Sequence, residues 1–556
     1  MPNFLDAIFN QLRHADGRVV LREIRGNEFV SVTGRELLDQ VQGVRSALRG
    51  YGLQPGDRCA LLAPNSIRWT VVDLALMAEG VIVVPLYSRQ APADLAGMMK
   101  DCQPRLLLAN DDEMGDAMGQ TWPPAPPCIR LDELFKQAES QEPTLDKPKP
   151  RGDAERVTII YTSGTSGESK GVCLNVANIT HMLGCTRERL DQLMGSCKEP
   201  DRVFHYLPFN FAGSRIVLLT CLSRDSVLTL STDLTCLADE IQLASPNYFL
   251  NVPTLLERVK RGVEEAVSGR SAFVRTLYAK ACDGWRRQRA GRGRTLDEMW
   301  LALGERVIFS KIRKRFGTHL RALICGSAPL APETQEFFMM LGIPVLQVYG
   351  LTETTAICTM DDPRAAIEPG YVGPAITGIE MKLGENAEIL VRGPHIFPGY
   401  WNRPEETARV LQNGWYHTGD QGEVNARGNW RISGRLKNLI ILNSGHNIAP
   451  EPMEEKIAQR IPGAQAVLVG NGRGYLCAVI SGAVERATVQ PILDNLNAEL
   501  PHYRQIRNFL IMSESFSTEN GLLTVNGKVR RDAINARFAT EINAMYDGKS
   551  EMVGSR

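Results

Sequence analysis

The chain has 556 residues, too many for one hydrophobic core, so two or more domains are expected. Its 63 Lys and Arg balance 63 Asp and Glu, which excludes an overall field pulling it toward nucleic acid or an anionic surface. A hydrophobic content of 43% with 23% charged residues describes an ordinary globular protein.

The first residues, Met1 to Asp6, lack a basic start followed by an apolar core, so no signal peptide is expected. No apolar run approaches the ~20 residues that cross a bilayer. Twelve scattered cysteines with no Cys-x-x-Cys pair indicate neither a zinc site nor a disulfide framework. A reduced, cytoplasmic setting is expected, with at most peripheral membrane contact.

Gly34 to Tyr51 is amphipathic at helical spacing through Leu37, Leu38, Val41, Val44 and Leu48. Residues 57–63, 81–86 and 105–109 read as buried strands, with a helix over 67–79. This alternation predicts βαβ units and a parallel sheet. Proline-rich connectors at 122–127 and 143–150 flank a short strand and helix. A β-branched run, Val157 to Ile160, then leads into a glycine-, serine- and threonine-rich loop from Tyr161 to Gly171. Such a loop offers backbone N–H groups, hydroxyls and the Lys170 ammonium to polyphosphate oxygens. It is not a Walker-type P-loop, because Gly164 and Gly167 are too close together and Gly171 follows Lys170.

Further strands are predicted at 202–207, 227–230, 248–252, 322–325 and 345–348. A basic helical insert runs from Arg270 to Arg294 with Phe273, Tyr278 and Trp285 interleaved. It reads first as a solvated helical face and second as a surface for an anionic membrane or a partner. From about Ile376 short strands and tight turns take over, as at 388–392 and 429–432. After Arg435 a small α+β unit follows, with strands at 467–469 and 475–480 and a helix from Pro491 to Glu499. None of the eight histidines has metal-ligand spacing, no Gly-x-Ser-x-Gly elbow occurs, and nucleic-acid binding has no motif.

Four segments follow the glycine loop in order: 326–330 (GSAPL), 349–354 (YGLTET), 415–420 (WYHTGD) with 432–435 (ISGR), and 524–528 (TVNGK). This series resembles the acyl-adenylate-forming superfamily of acyl-CoA synthetases, adenylation domains and luciferases, from about Val20 to Phe538. Within it, 307–313, 320–330, 434–440 and 447–451 look most like the long-chain fatty acyl-CoA synthetases. The resemblance implies an α/β fold. A large N-terminal ATP- and acyl-binding domain over 1–435 would combine mixed and parallel sheets with helices and a small β-barrel-like part. A small mobile α+β domain would follow over 436–556.

It also implies activation of a carboxylic acid, of medium or long chain, by ATP to acyl-AMP with release of pyrophosphate, then transfer to CoA. Thr162, Ser163, Gly164, Thr165, Ser166, Gly167 and Lys170 would grip the phosphates. Tyr349 would offer a flat face to adenine, with Gly326, Ser327 and Ala328 giving close backbone approach and Gly350 and Ile432 nearby. Thr352 would bond the α-phosphate and Glu353 would hold Mg²⁺. Asp420 would accept both ribose hydroxyls, joined by Arg435. Lys528 would stabilise charge as the carboxylate attacks. Lys437 is the implied hinge, Gly445 and His446 face the thiol, and Phe211, Val252 and Gly350 line the acyl and thiol tunnels.

Three residues or tracts depart from the family pattern. Ser169 replaces a proline, Phe211 stands where many long-chain synthetases have histidine, and residues 174–178 lack a Thr-His pair. They leave open a specialised acid, and a carrier-protein phosphopantetheine as acceptor. A non-catalytic nucleotide-binding homologue is the remaining alternative. His417 is expected to be structural.

Overall fold

The computed structural model describes residues 3–546, except 124, 145, 164–168, 198, 462 and 525–526. Two sheets dominate the large N-terminal domain. One has seven strands in the order Gly399–Tyr400, Ser169–Asn175, Arg156–Ser163, Ile82–Leu86, Arg58–Leu62, Leu106–Ala109 and Cys128–Arg130. The other has eight, with Ala322–Cys325, Tyr248–Asn251, Asp201–His205 and Ser226–Leu230 at its centre. Inner neighbours run parallel, as βαβ alternation dictates, and antiparallel pairs occur toward the edges.

The helices between the sheets explain themselves locally. Gly34–Arg49 starts in a capping box, in which the Thr33 side chain accepts from the Glu36 N–H and Glu36 reaches back to the Thr33 N–H. Ile67–Ala78 is buried at every position but Arg68, so its pattern is apolar nearly all round. Its Asp73 accepts from Arg215 of the Ala212–Leu222 helix, which also donates to Thr158 of the first sheet. This wholly buried pair ties the helices of the two sheets together. Burial raises Asp73 to about 6 against the pull of Arg215.

A five-stranded antiparallel sheet forms the smaller β-rich part, with Trp415–Val424 paired to Glu388–Arg392, Leu411–Gln412 and Trp430–Arg435. The chain then enters a small C-terminal domain. Its three-stranded sheet, Gln465–Val469, Leu476–Ser481 and Ile506–Met512, buries one face under each of two clusters drawn only from residues 440–546.

The structure departs from the sequence expectations in four places. An N-terminal helix, Phe4–Ala15, and a hairpin, Val19–Arg25 with Glu28–Thr33, complete the eight-stranded sheet, although the sequence reading passed over them. The glycine loop is shorter than its small-residue run. Thr162 pairs with Lys170 and Ser163 with Ser169 in a β-hairpin, because ladder hydrogen bonds claim the run from both ends. The basic insert is helical over Ala272–Arg289 and ends at Gly291 with φ +67°, and a second helix beyond its read bounds, Thr295–Gly304, follows. The late helix starts at Arg486 rather than Pro491, which lies inside it.

Candidate active site

Residues from the motif segments 349–354, 415–420, 432–435 and 524–528 come together, because strand ends and the turns after them are where a sheet stops claiming its backbone groups. Tyr349 closes the strand Val345–Tyr349, and its hydroxyl donates to Asp420 Oδ2 at 2.8 Å. Asp420 lies opposite Arg435 in the antiparallel ladder, and Arg435 Nε sits 2.8 Å from Asp420 Oδ1. Each oxygen of this buried carboxylate thus accepts one protein hydrogen bond, and each keeps a further lone pair. Burial pushes Asp420 up, and the Arg435 charge and the Tyr349 hydroxyl pull it back.

Lys437 and Lys528 face the same pair from the small domain. Burial, then Arg435, lower Lys437 to about 8, with Asp420 opposing. Lys528 is an exposed residue with surrounding protein crowding its amine. Burial and Arg435 lower it, and Asp420 and Glu353 oppose the shift. Tyr349, Glu353, Asp420, Arg435, Lys437 and Lys528 thus form one electrostatic cluster.

Thr352 and Glu353 sit in a single 3-10 turn, Thr352–Thr354, pinned where the Thr354 hydroxyl accepts from the Leu351 N–H at 2.9 Å. The two following residues, Thr355 (φ +53°) and Ala356 (φ +108°), hold left-handed backbone, a strain that clusters at functional sites. Ser327 holds a third such position (φ +72°), on the exposed turn that includes Ala328. The glycines at 326 and 350 also answer a packing constraint. A Cβ on Gly326 would lie 2.5 Å from Val348, and one on Gly350 would lie 2.1 Å from the Ala356 carbonyl oxygen. Their smallness serves protein packing. Ile432 packs beside Tyr349 against the main core.

Two residues missed by the sequence reading join the glycine hairpin to this cluster. Tyr400, in the edge strand paired to Ser169–Asn175, donates its hydroxyl to Glu353 Oε1 at 2.9 Å. Lys170 lies over the same ring, 5.4 Å from its centroid, and is ion-paired to Glu406. The signal was the stretch 400–406, which has a tyrosine, two glutamates and a proline, and reads as an ordinary turn without its partners. Gly164, Thr165, Ser166, Gly167 and the Ser163 side chain lie outside the described residues; Thr162 is half-buried at the strand end.

Other candidates stay apart. His446 and Gly445 lie on the exposed turn between Ile440–Ile441 and Asn447–Ile448. The His446 ring stacks on Tyr503 at 4.2 Å and its Nδ1 lies 2.9 Å from the Ser444 hydroxyl, so its contacts are within the small domain. Phe211 begins the helix Ala212–Leu222 with its ring 6.3 Å from Tyr87, and Val252 precedes the helix Pro253–Ser268. His417 pairs with Glu388 at 2.9 Å, the structural part expected for it.

No group of three or more His, Cys, Asp or Glu among the described residues can hold a metal ion. Glu353 alone offers a hard oxygen, which fits Mg²⁺ that takes its other ligands from phosphate oxygens and water. No helix among the described residues is long and apolar enough to cross a membrane.

Comparison with known proteins agrees with this geometry. The AMP-binding enzyme family matches residues 9–401, and the AMP-binding enzyme C-terminal domain matches 437–550. The chain is 26% identical over 598 residues to a long-chain-fatty-acid–CoA ligase of Mycobacterium bovis, covering 98% of this chain and 97% of that one. It is 24% identical to a chloroplastic long-chain-fatty-acid–[acyl-carrier-protein] ligase of Arabidopsis thaliana, covering 95% and 84%. The o-succinylbenzoate CoA synthetase of Bacillus subtilis, solved with its acyl-adenylate, shares the fold at TM-score 0.74 and 19% identity over 96% and 98% of the chains. The chain belongs to the AMP-binding enzyme family and is most like its long-chain acyl-CoA synthetases.

Proposed function

We propose that this protein is an AMP-forming acid–thiol ligase that activates a medium- or long-chain fatty acid with ATP and passes the acyl group to CoA. The observation that carries the reading is the cluster of Tyr349, Glu353, Asp420, Arg435 and Lys528 in one cleft of a chain of this family. In the first half-reaction a carboxylate oxygen attacks the α-phosphorus of ATP, and the bond to the pyrophosphate oxygen breaks. A carboxylate is already a nucleophile, so no general base is required. Lys528, coupled electrostatically to Asp420 and Glu353, stabilises the negative charge that develops on the attacked group. Asp420 orients the ribose through the lone pairs that Tyr349 and Arg435 leave free, and Tyr349 lies against the adenine.

Thr162 and the glycine loop hold the β and γ phosphates, and Lys170 exchanges Glu406 for them. Thr352 bonds the α-phosphate. Glu353, aimed by the Tyr400 hydroxyl, would hold Mg²⁺, which would offset phosphate charge. In the second half-reaction the CoA thiolate attacks the acyl carbonyl and AMP leaves. The domain boundary falls at 435/436, and the small domain turns about Lys437 so that the Ser444 to Pro450 turn, with Gly445 and His446, replaces Lys528 at the cleft. Phe211 and Val252 border the acyl path. All twelve cysteines are free thiols, in keeping with a reducing, cytoplasmic compartment.

The test is pyrophosphate release across acids from acetate through palmitate to aromatic acids, followed by AMP release with CoA or with a phosphopantetheinylated carrier protein. Turnover with fatty acids and CoA supports the proposal. Turnover with the carrier protein alone transfers it to the acceptor named for the Arabidopsis relative. No pyrophosphate from any acid overturns it.

A further inference from the structure

Charge is distributed unevenly in this neutral chain. Residues 270–315 contain 13 Lys and Arg against four Asp and Glu, a surplus of nine positive charges where the whole protein has none. This stretch holds the helical pair Ala272–Arg289 and Thr295–Gly304 and its continuation through Ser310–Lys314. Lys280, Arg292, Arg306, Lys311 and Lys314 form no salt bridge among the described residues, so this charge faces solvent uncompensated.

The same stretch holds the three most exposed large hydrophobic side chains among the described residues: Leu296 at 63%, Phe273 at 60% and Met299 at 52%. The fold does not need them. The first helix buries Leu277, Ala281 and Gly284, and Asp297 and Gly304 of the second pack against it: a Cβ on Gly284 would meet Asp297, and one on Gly304 would meet Ala281. Leu296 and Met299, three residues apart, share a solvent-exposed side of the second helix, and Arg306 is exposed in the π-helical turn Glu305–Phe309 that follows it. Apolar side chains interleaved with unpaired cations on an outward helix face match the layered chemistry of a lipid interface, acyl chains beneath anionic headgroups. An acidic protein would satisfy the cations and leave Leu296 and Met299 wet.

We infer that the helical pair spanning residues 272–304 docks the protein on an anionic lipid bilayer, with Leu296 and Met299 entering the headgroup layer and Arg292 and Arg306 pairing with lipid phosphates. The surface is separate from the nucleotide cleft, so its failure and failure of the ligase reading are independent.

The experiment is co-sedimentation of the full-length protein with vesicles of phosphatidylcholine alone and of phosphatidylcholine with about 30% phosphatidylglycerol. The wild type is expected to sediment with the anionic vesicles, to stay in solution with the neutral ones, and to be released by added salt. Leu296→Gln/Met299→Gln and, separately, Arg292→Gln/Arg306→Gln are each expected to lower anionic partitioning about tenfold. Their melting temperature and their turnover of a short, water-soluble acid should stay at the wild-type value. Equal partitioning of the wild type and both variants overturns the inference. So does a wild type that ignores anionic vesicles, or one whose dimerisation in free solution is what the variants abolish.

Discussion

Tyr400 shows how a single hydroxyl can couple two parts of a site. It donates to Glu353, and its ring supports the Lys170 ammonium, so one side chain holds both the proposed metal carboxylate and the proposed phosphate cation. Tyr400→Phe keeps the ring and its contact with Phe397 at 4.8 Å but frees Glu353. The Mg²⁺ concentration for half-maximal pyrophosphate release should rise about tenfold, the scale on which partners of metal ligands act, with little change in melting temperature. An unchanged Mg²⁺ dependence removes Tyr400 from the site. Glu406→Gln should act in the opposite sense on ATP. Lys170 no longer leaves a carboxylate to meet phosphate, so KM for ATP falls while kcat holds, the pattern of uniform binding. Lys170, Glu353, Asp420 and Lys528 were legible in sequence because they sit inside specific motifs. Tyr400 and Glu406 were not, because their significance lies in partners 47 and 236 positions away.

Among the elements, the short turn Thr352–Thr354 depends on a crossing of two backbone segments. Gly350 lies under the Ala356–Ile357 stretch, and the left-handed geometry of Thr355 and Ala356 brings that stretch down on it. Gly350→Ala would place a methyl 2.1 Å from the Ala356 oxygen, an overlap that backbone shift must relieve. A loss of about 1–3 kcal/mol in urea unfolding is expected, with a fall in adenylation because Glu353 moves. Wild-type stability with the alanine would show that the segment relaxes freely. The helices and strands that set this crossing were readable where periodicity was strong, as in Gly34–Arg49 and Ile82–Leu86. The N-terminal helix and hairpin were not read. Their order in the sheet depends on the parallel pairing of Val19–Arg25 with a strand 200 residues later.

For the whole molecule, two conditions can be tested. Lys528 belongs to the small domain and faces a cluster in the large one, so on the proposed assignment it serves only the first half-reaction. Lys528→Ala should cut pyrophosphate release by orders of magnitude and spare thioester formation from supplied acyl-adenylate. Equal loss of both steps would refute a domain rotation between them. The second condition is pH. Burial lowers His205 to about 4 and His395 to about 3, both from 6.5. The folded state therefore refuses protons that the unfolded chain binds. Stability is complete above about pH 6.5 and is lost as pH falls toward 4 and 3, by roughly 3 kcal/mol for His205 and roughly 5 kcal/mol for His395 at the acid end. Urea midpoints measured from pH 7 to 4 should fall, and less steeply in His395→Gln. An unchanged slope would place the acid sensitivity elsewhere. The sequence by itself determined the family, the adenylating chemistry and the two-domain order, because small, charged and aromatic residues at set spacings bind nucleotide through local backbone. Only the tertiary structure decided which partners those residues meet: each oxygen of Asp420 bonded within the protein, Lys170 held by Glu406, and Lys437 and Lys528 facing one carboxylate. Those contacts join strands and turns far apart in the chain, and their energies depend on burial, which no single segment encodes.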